Sequence, residues 1–100
     1  MNYLPATFMK RAADDYRLLP SHLSLVMAIF YFRTDDTPGA AIRVSRSRLM
    51  RFSRIKSIAT YHKCLKDLID YGYISYEPSY HPTNASSIWL LNEEGQNEDD

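Results

Sequence analysis

Glycine and cysteine are scarce in this chain of 100 residues, with three of the first and one of the second. The lone Cys64 excludes an internal disulfide and suits a reducing compartment. With glycine only at 39, 72 and 95, there is no Gly-rich loop to cradle a phosphate. Long apolar runs are missing too. The longest, from Leu25 to Phe32, falls well short of the roughly twenty residues a membrane span needs. The opening MNYLPATFMKRAADDY lacks the charged-then-apolar order of a signal peptide. These absences point to a cytoplasmic protein with no membrane partner. Metal and enzyme chemistry find no footing either. His62 and Cys64 stand two apart and share no helix face, and no CxxC or HxxxH spacing occurs. There is no nucleophile elbow and no acid pair with a supporting motif, so neither a cofactor nor a catalytic site is expected.

Acidic residues are absent from the middle of the chain. Between Thr37 and Lys66 lie Arg43, Arg46, Arg48, Arg51, Arg54, Lys56, Lys63 and Lys66 without a single Asp or Glu. The tail after Leu91 reverses this, with Glu93, Glu94, Glu98, Asp99 and Asp100 and no cation. Net charge is zero, but a polyanion responds to the local field, which decays over a Debye length of about 10 Å. What remains is ordinary: 45% hydrophobic and 24% charged residues, which fit one globular domain over 1–91 and a disordered acidic tail over 92–100.

The most informative stretch runs from Ser57 to Ile74. As a helix of about 58–71, it lines up Ile58, Tyr61, Leu65, Leu68 and Ile69 on one stripe. Ser57 supplies a cap at its start, and Gly72 can take the left-handed conformation that ends it. The other face begins with short or basic groups, Lys56, Ala59, Thr60 and Lys63, and its acids, Asp67 and Asp70, come later. Such a leading end suits a DNA major groove.

Around it the elements fall in order. Phe8, Met9, Ala12, Tyr16 and Leu19 predict an amphipathic helix of about 7–18, capped by Thr7 and stopped by Pro20. Ser21 caps a second helix of about 22–33, apolar nearly all round. Uncovered, such a surface would form a homodimer interface. TDDTPGA over 34–40 is a turn, and 41–44 a short strand with Ile42 and Val44 inward. Ser45 caps a helix of about 46–52 facing inward through Leu49 and Phe52, and Ile55 tucks in after it. Two strands, 73–77 and 87–91, flank the turn-rich PSYHPTNAS.

The run VSRSRLMRFSRIKSIATYHKCLKDLIDYGYISYE, from Val44 to Glu77, resembles winged helix-turn-helix DNA-binding domains. The matching positions are Ser45 ahead of Leu49, Ser57 and Thr60 opening the next helix, and Leu65, Leu68, Gly72 and Ile74. The resemblance covers roughly 20–91. It implies a mainly α fold with a small antiparallel β wing, here preceded by an extra N-terminal helix. It further implies sequence-specific binding of double-stranded DNA as a small transcriptional regulator. Lys56, Ser57, Ala59, Thr60 and Lys63 would then face base edges and nearby phosphates, while Arg46, Ser47, Arg48, Arg51 and Arg54 hold phosphates. One departure is that the wing carries only His81 as a possible cation. A replication or mobile-element accessory factor is compatible with the same resemblance, and a protein-interaction module is the competing class. The eight tyrosines read as core and sheet packing, unless Tyr71, Tyr76 or Tyr80 stands exposed as a stacking platform.

Overall fold

Seven elements follow one another in the computed structural model, which describes residues 4–34, 39–79 and 85–91. They are α1 (Leu4–Ala13), α2 (Pro20–Tyr31), β1 (Ile42–Val44), α3 (Arg46–Ser53), α4 (Ile58–Asp70), β2 (Ile74–Glu77) and β3 (Ser86–Leu90). Among the described residues they form a small, mainly helical domain of four helices and one three-stranded antiparallel sheet. The expected turn residues 35–38, the wing residues 80–84 with His81, and the acidic tail 92–100 lie outside the described residues.

β3 runs down the middle of the sheet, in the order β1-β3-β2. Ile88 pairs with Ile42 on one side and Tyr76 on the other, and it is wholly buried. The β1 alternation is as expected, with Ile42 and Val44 buried and Arg43 exposed between them. One core joins these strands to all four helices through Phe8, Leu25, Ile29, Leu49, Tyr61, Leu68 and Ile74, among others. Each such side chain contributes about 1.5–3 kcal/mol on burial. α2 is the central post, packed against both α3 and α4.

Four boundaries and faces differ from expectation, each for a local reason. α1 runs from Leu4 to Ala13 rather than about 7–18. A proline in the first helical turn forfeits no hydrogen bond, so Pro5 does not delay the start. The early end comes from Asp15, whose carboxylate accepts the Arg17 N–H at 3.0 Å and holds a turn instead of a helix. Tyr16, expected inward, is therefore fully exposed. Pro20 does not stop that helix but opens α2, and Ser21 is not its cap. The His22 ring takes the capping role, Nδ1 accepting the Leu19 N–H at 2.8 Å.

On α3 the inner face is Leu49 and Ser53, not Leu49 and Phe52. α2 crosses closely there, Ser24 Oγ donating to the Ser53 carbonyl at 2.9 Å, and only a small side chain fits. On α4 the buried row is Tyr61, Cys64, Leu65 and Leu68. It is centred on the small Cys64, whose Sγ lies 3.2 Å from Ser21 Oγ of α2. Ile58 and Ile69, expected within the stripe, fall at its edges and are exposed. α2 itself is covered round most of its circumference, leaving only a narrow stripe with Met27 and Tyr31 in solvent.

Candidate nucleic-acid interface

The leading end of α4 is built by two caps. Ser45 Oγ accepts the Arg48 N–H at the start of α3, and Ser57 Oγ accepts the Thr60 N–H at the start of α4. Between them α3 ends on Arg54, the one described non-glycine residue with positive φ, at 66°. Ile55 then donates its N–H back to the Met50 carbonyl at 3.1 Å and buries its side chain. That reversal sends residues 54–57 across the surface and turns α4 so that its first turn points outward.

His22 and Asp67 hold α4 against α2. Because a backbone N–H faces His22 Nδ1, the ring proton sits on Nε2, which donates to Asp67 Oδ2 at 2.9 Å. The same carboxylate accepts from Lys63 Nζ at 3.0 Å. These two hydrogen bonds, His22 first, keep the Asp67 carboxyl below its ordinary range, and Lys63 is pushed up by its own half of the pair. Arg46 stands near the buried Tyr61 hydroxyl, whose pKa burial pushes up to about 12.

All ten expected contact residues, Arg46, Ser47, Arg48, Arg51, Arg54, Lys56, Ser57, Ala59, Thr60 and Lys63, are exposed. Their states differ. Lys63 is tied to Asp67, and Lys66 to Asp70 at 2.8 Å. No ion pair to a described carboxylate engages Arg43, Arg46, Arg48, Arg51, Arg54 or Lys56. Ser57 and Ser47 already use their oxygens locally, one in the α4 cap and one 3.3 Å from Ser45 Oγ. Ala59 and Thr60 are left open on the first turn of α4.

Two groups of residues escaped the sequence reading. Arg11 joins three distant carbonyls, with Nη2 donating to Tyr71 at 3.0 Å and Gly72 at 3.2 Å, and Nη1 to Leu91 at 3.3 Å. It also lies over the Tyr73 ring at 4.0 Å. An arginine among exposed helix positions carries no sequence signal for this. The second group is aromatic. Tyr31 and Phe52 stack at 4.5 Å with an interplanar angle of 22°, and Phe32 meets both edge-on. With Arg48, Arg51 and Arg54 they line an open pocket of about 330 Å³. Of the expected stacking tyrosines, Tyr71 and Tyr76 are half-buried and Tyr80 lies outside the described residues. Tyr31 is the one in this basic region that is open to solvent, at 65% exposure.

Among the described residues no helix is long and apolar enough to cross a membrane, and no cluster of His, Cys, Asp or Glu could hold a metal ion. Comparison of the chain with protein-family models, with curated proteins and with solved structures finds no match in any of the three.

Proposed function

We propose that this chain is a winged-helix domain that binds double-stranded DNA in a sequence-specific way, acting as a small transcriptional regulator. α4 enters the major groove by its first turns. Thr60 and Ala59 meet base edges, Lys56 and the paired Lys63 reach the flanking phosphates, and the α3 arginines fix the register. The observation that carries this reading is the exposed first turn of α4, which directly follows in the chain the exposed cations Arg46, Arg48, Arg51, Arg54 and Lys56, none with a described acidic partner. The chain order of α2, β1, α3, α4, β2 and β3, with β3 between the other strands, also suits a winged helix. With no catalytic machinery assigned, regulation would work by occupancy of the site.

Reversing Arg51 and Lys56 together (R51E, K56E) tests the proposal. Lys63 is left alone because a glutamate there would face Asp67 across one helical turn. In an anisotropy titration at low salt, affinity for a mixed-sequence duplex should fall by more than about a hundredfold, with the circular dichroism spectrum unchanged. Equal affinities for wild type and variant would remove the proposal. Binding to a protein partner through the apolar α2 face has no comparable observation in its favour.

A further inference from the structure

The pocket between the end of α2 and α3 shares Arg48, Arg51 and Arg54 with the duplex reading, but its aromatic floor of Tyr31, Phe32 and Phe52 has no part in docking a duplex. Exposed apolar rings usually mark an interaction site when they form a patch with polar edges. Tyr31 and Phe52 form such a patch, stacked on one another and rimmed by Arg48, Arg51 and Arg54. The volume of about 330 Å³ lies at the small end of ligand pockets, which begin near 300 Å³.

The lining restricts what can fill it. Each guanidinium carries five N–H donors and no acceptor. Arg54 spends one donor on the Arg51 carbonyl at 3.2 Å, while the Arg48 and Arg51 guanidiniums have no described hydrogen-bond partner. The Tyr31 hydroxyl is the one side-chain acceptor in the lining. A peptide would bring backbone N–H groups that find almost nothing to accept them. A flat, acceptor-rich anion meets both requirements, one through the rings and one through bidentate arginine contacts.

Arg54 adds a separate indication. It occupies the left-handed position after α3 that glycine would fill with less strain, and its side chain there supplies the third guanidinium of the rim.

The geometry points to this pocket as the seat of one unpaired nucleotide, its base on the Tyr31–Phe52 stack and its phosphate held by Arg48, Arg51 and Arg54. The inference rests on the nucleic-acid reading above and deepens it. The preferred partner becomes a duplex with an unpaired nucleotide beside it, rather than an uninterrupted duplex. The same chemistry could come from a free nucleotide, and the experiment separates the two sources.

Anisotropy titrations of the full chain would compare a blunt duplex, the same duplex with a short thymidine overhang, and the single strand alone. The overhang should raise affinity by about tenfold, the worth of one stacked base. Tyr31→Ala and Phe52→Ala should each remove that gain and leave blunt-duplex binding as it was. Tyr31→Phe, which keeps the ring, should retain it. Equal affinity for blunt and overhang duplexes, or a gain surviving both alanine variants, would overturn the pocket assignment while leaving duplex binding in place. Single-strand binding that depends on Tyr31, with no blunt-duplex binding, would support the pocket and sink the duplex reading instead. Thymidine monophosphate abolishing the overhang gain would identify a free nucleotide as sufficient, and failure to do so would assign the site to strand-borne nucleotides. A glutamate–tyrosine copolymer abolishing the gain where the nucleotide does not would overturn the assignment in favour of an acidic peptide.

Discussion

Replacing Arg11 by alanine should unfold this domain far more readily than its place on a short leading helix suggests. Its guanidinium joins α1 to the carbonyls of Tyr71, Gly72 and Leu91, which belong to the end of α4 and the end of β3. Hydrogen bonds from a charged group contribute about 1.5–3 kcal/mol each, and the stacking over Tyr73 adds up to about 1 kcal/mol. The sum overstates the loss, since the three bonds share one group and the freed carbonyls lie near enough to solvent to recover water. A destabilisation of about 2–3 kcal/mol is therefore expected, or roughly 10–20 °C in Tm for a domain of this size. Denaturant titration followed by circular dichroism measures it. Arg11→Lys should recover little, because a point charge cannot reach all three carbonyls at once. A loss under about 0.5 kcal/mol for Arg11→Ala would refute the reasoning, leaving α1 as an appendage rather than a brace.

Two further outcomes follow from the same geometry. Gly72 has φ +84°, and a Cβ there would meet Arg11 Nη2 at 3.3 Å. Gly72→Ala should cost about 1–2 kcal/mol in the same denaturation assay, and a neutral effect would contradict the left-handed close of α4. Acid should weaken the fold through Asp15 and Asp67. Asp15 is held below the usual carboxylate range first by the Arg17 hydrogen bond, and Asp67 first by His22. A carboxyl depressed in the folded state contributes stability above its unfolded value of about 3.9 and loses it as pH falls toward the folded value. Stability should therefore decline progressively below about pH 5, and less so in Asp67→Asn. A stability that held or rose down to about pH 3 would contradict that sign.

The parts legible in the sequence were those governed by neighbours a few residues away. Ser45 and Ser57 cap as their spacing suggests, Gly72 closes α4, and the alternation of Ile42, Arg43 and Val44 gives the strand. Where a distant element decides, local spacing misleads. Phe52 belongs inward by helical spacing alone, yet α2 approaches at Ser53 and turns it out. The α4 stripe is centred on Cys64 because α2 needs a small residue there, and this moves Ile58 and Ile69 to the edges. Pro20 carries both a stop and a start signal, and only the His22 ring, capping from inside the helix, decides between them. The basic run of the candidate interface was visible in outline, because charge needs no partner to be counted. The pairing of Lys63 with Asp67, the left-handed Arg54 and the Tyr31–Phe52 stack all depend on tertiary placement.

The central claim of the proposal is that the cations of the basic run, which have no described acidic partner, hold a duplex against the open first turn of α4. Salt dependence tests it most directly. If Arg43, Arg46, Arg48, Arg51, Arg54 and Lys56 all engage phosphates, the log–log slope of affinity against salt should be about −5. Affinity for a duplex should then drop by about a thousandfold between roughly 50 and 200 mM monovalent salt. A slope shallower than about −1, or no duplex binding at the lowest salt, would contradict the account.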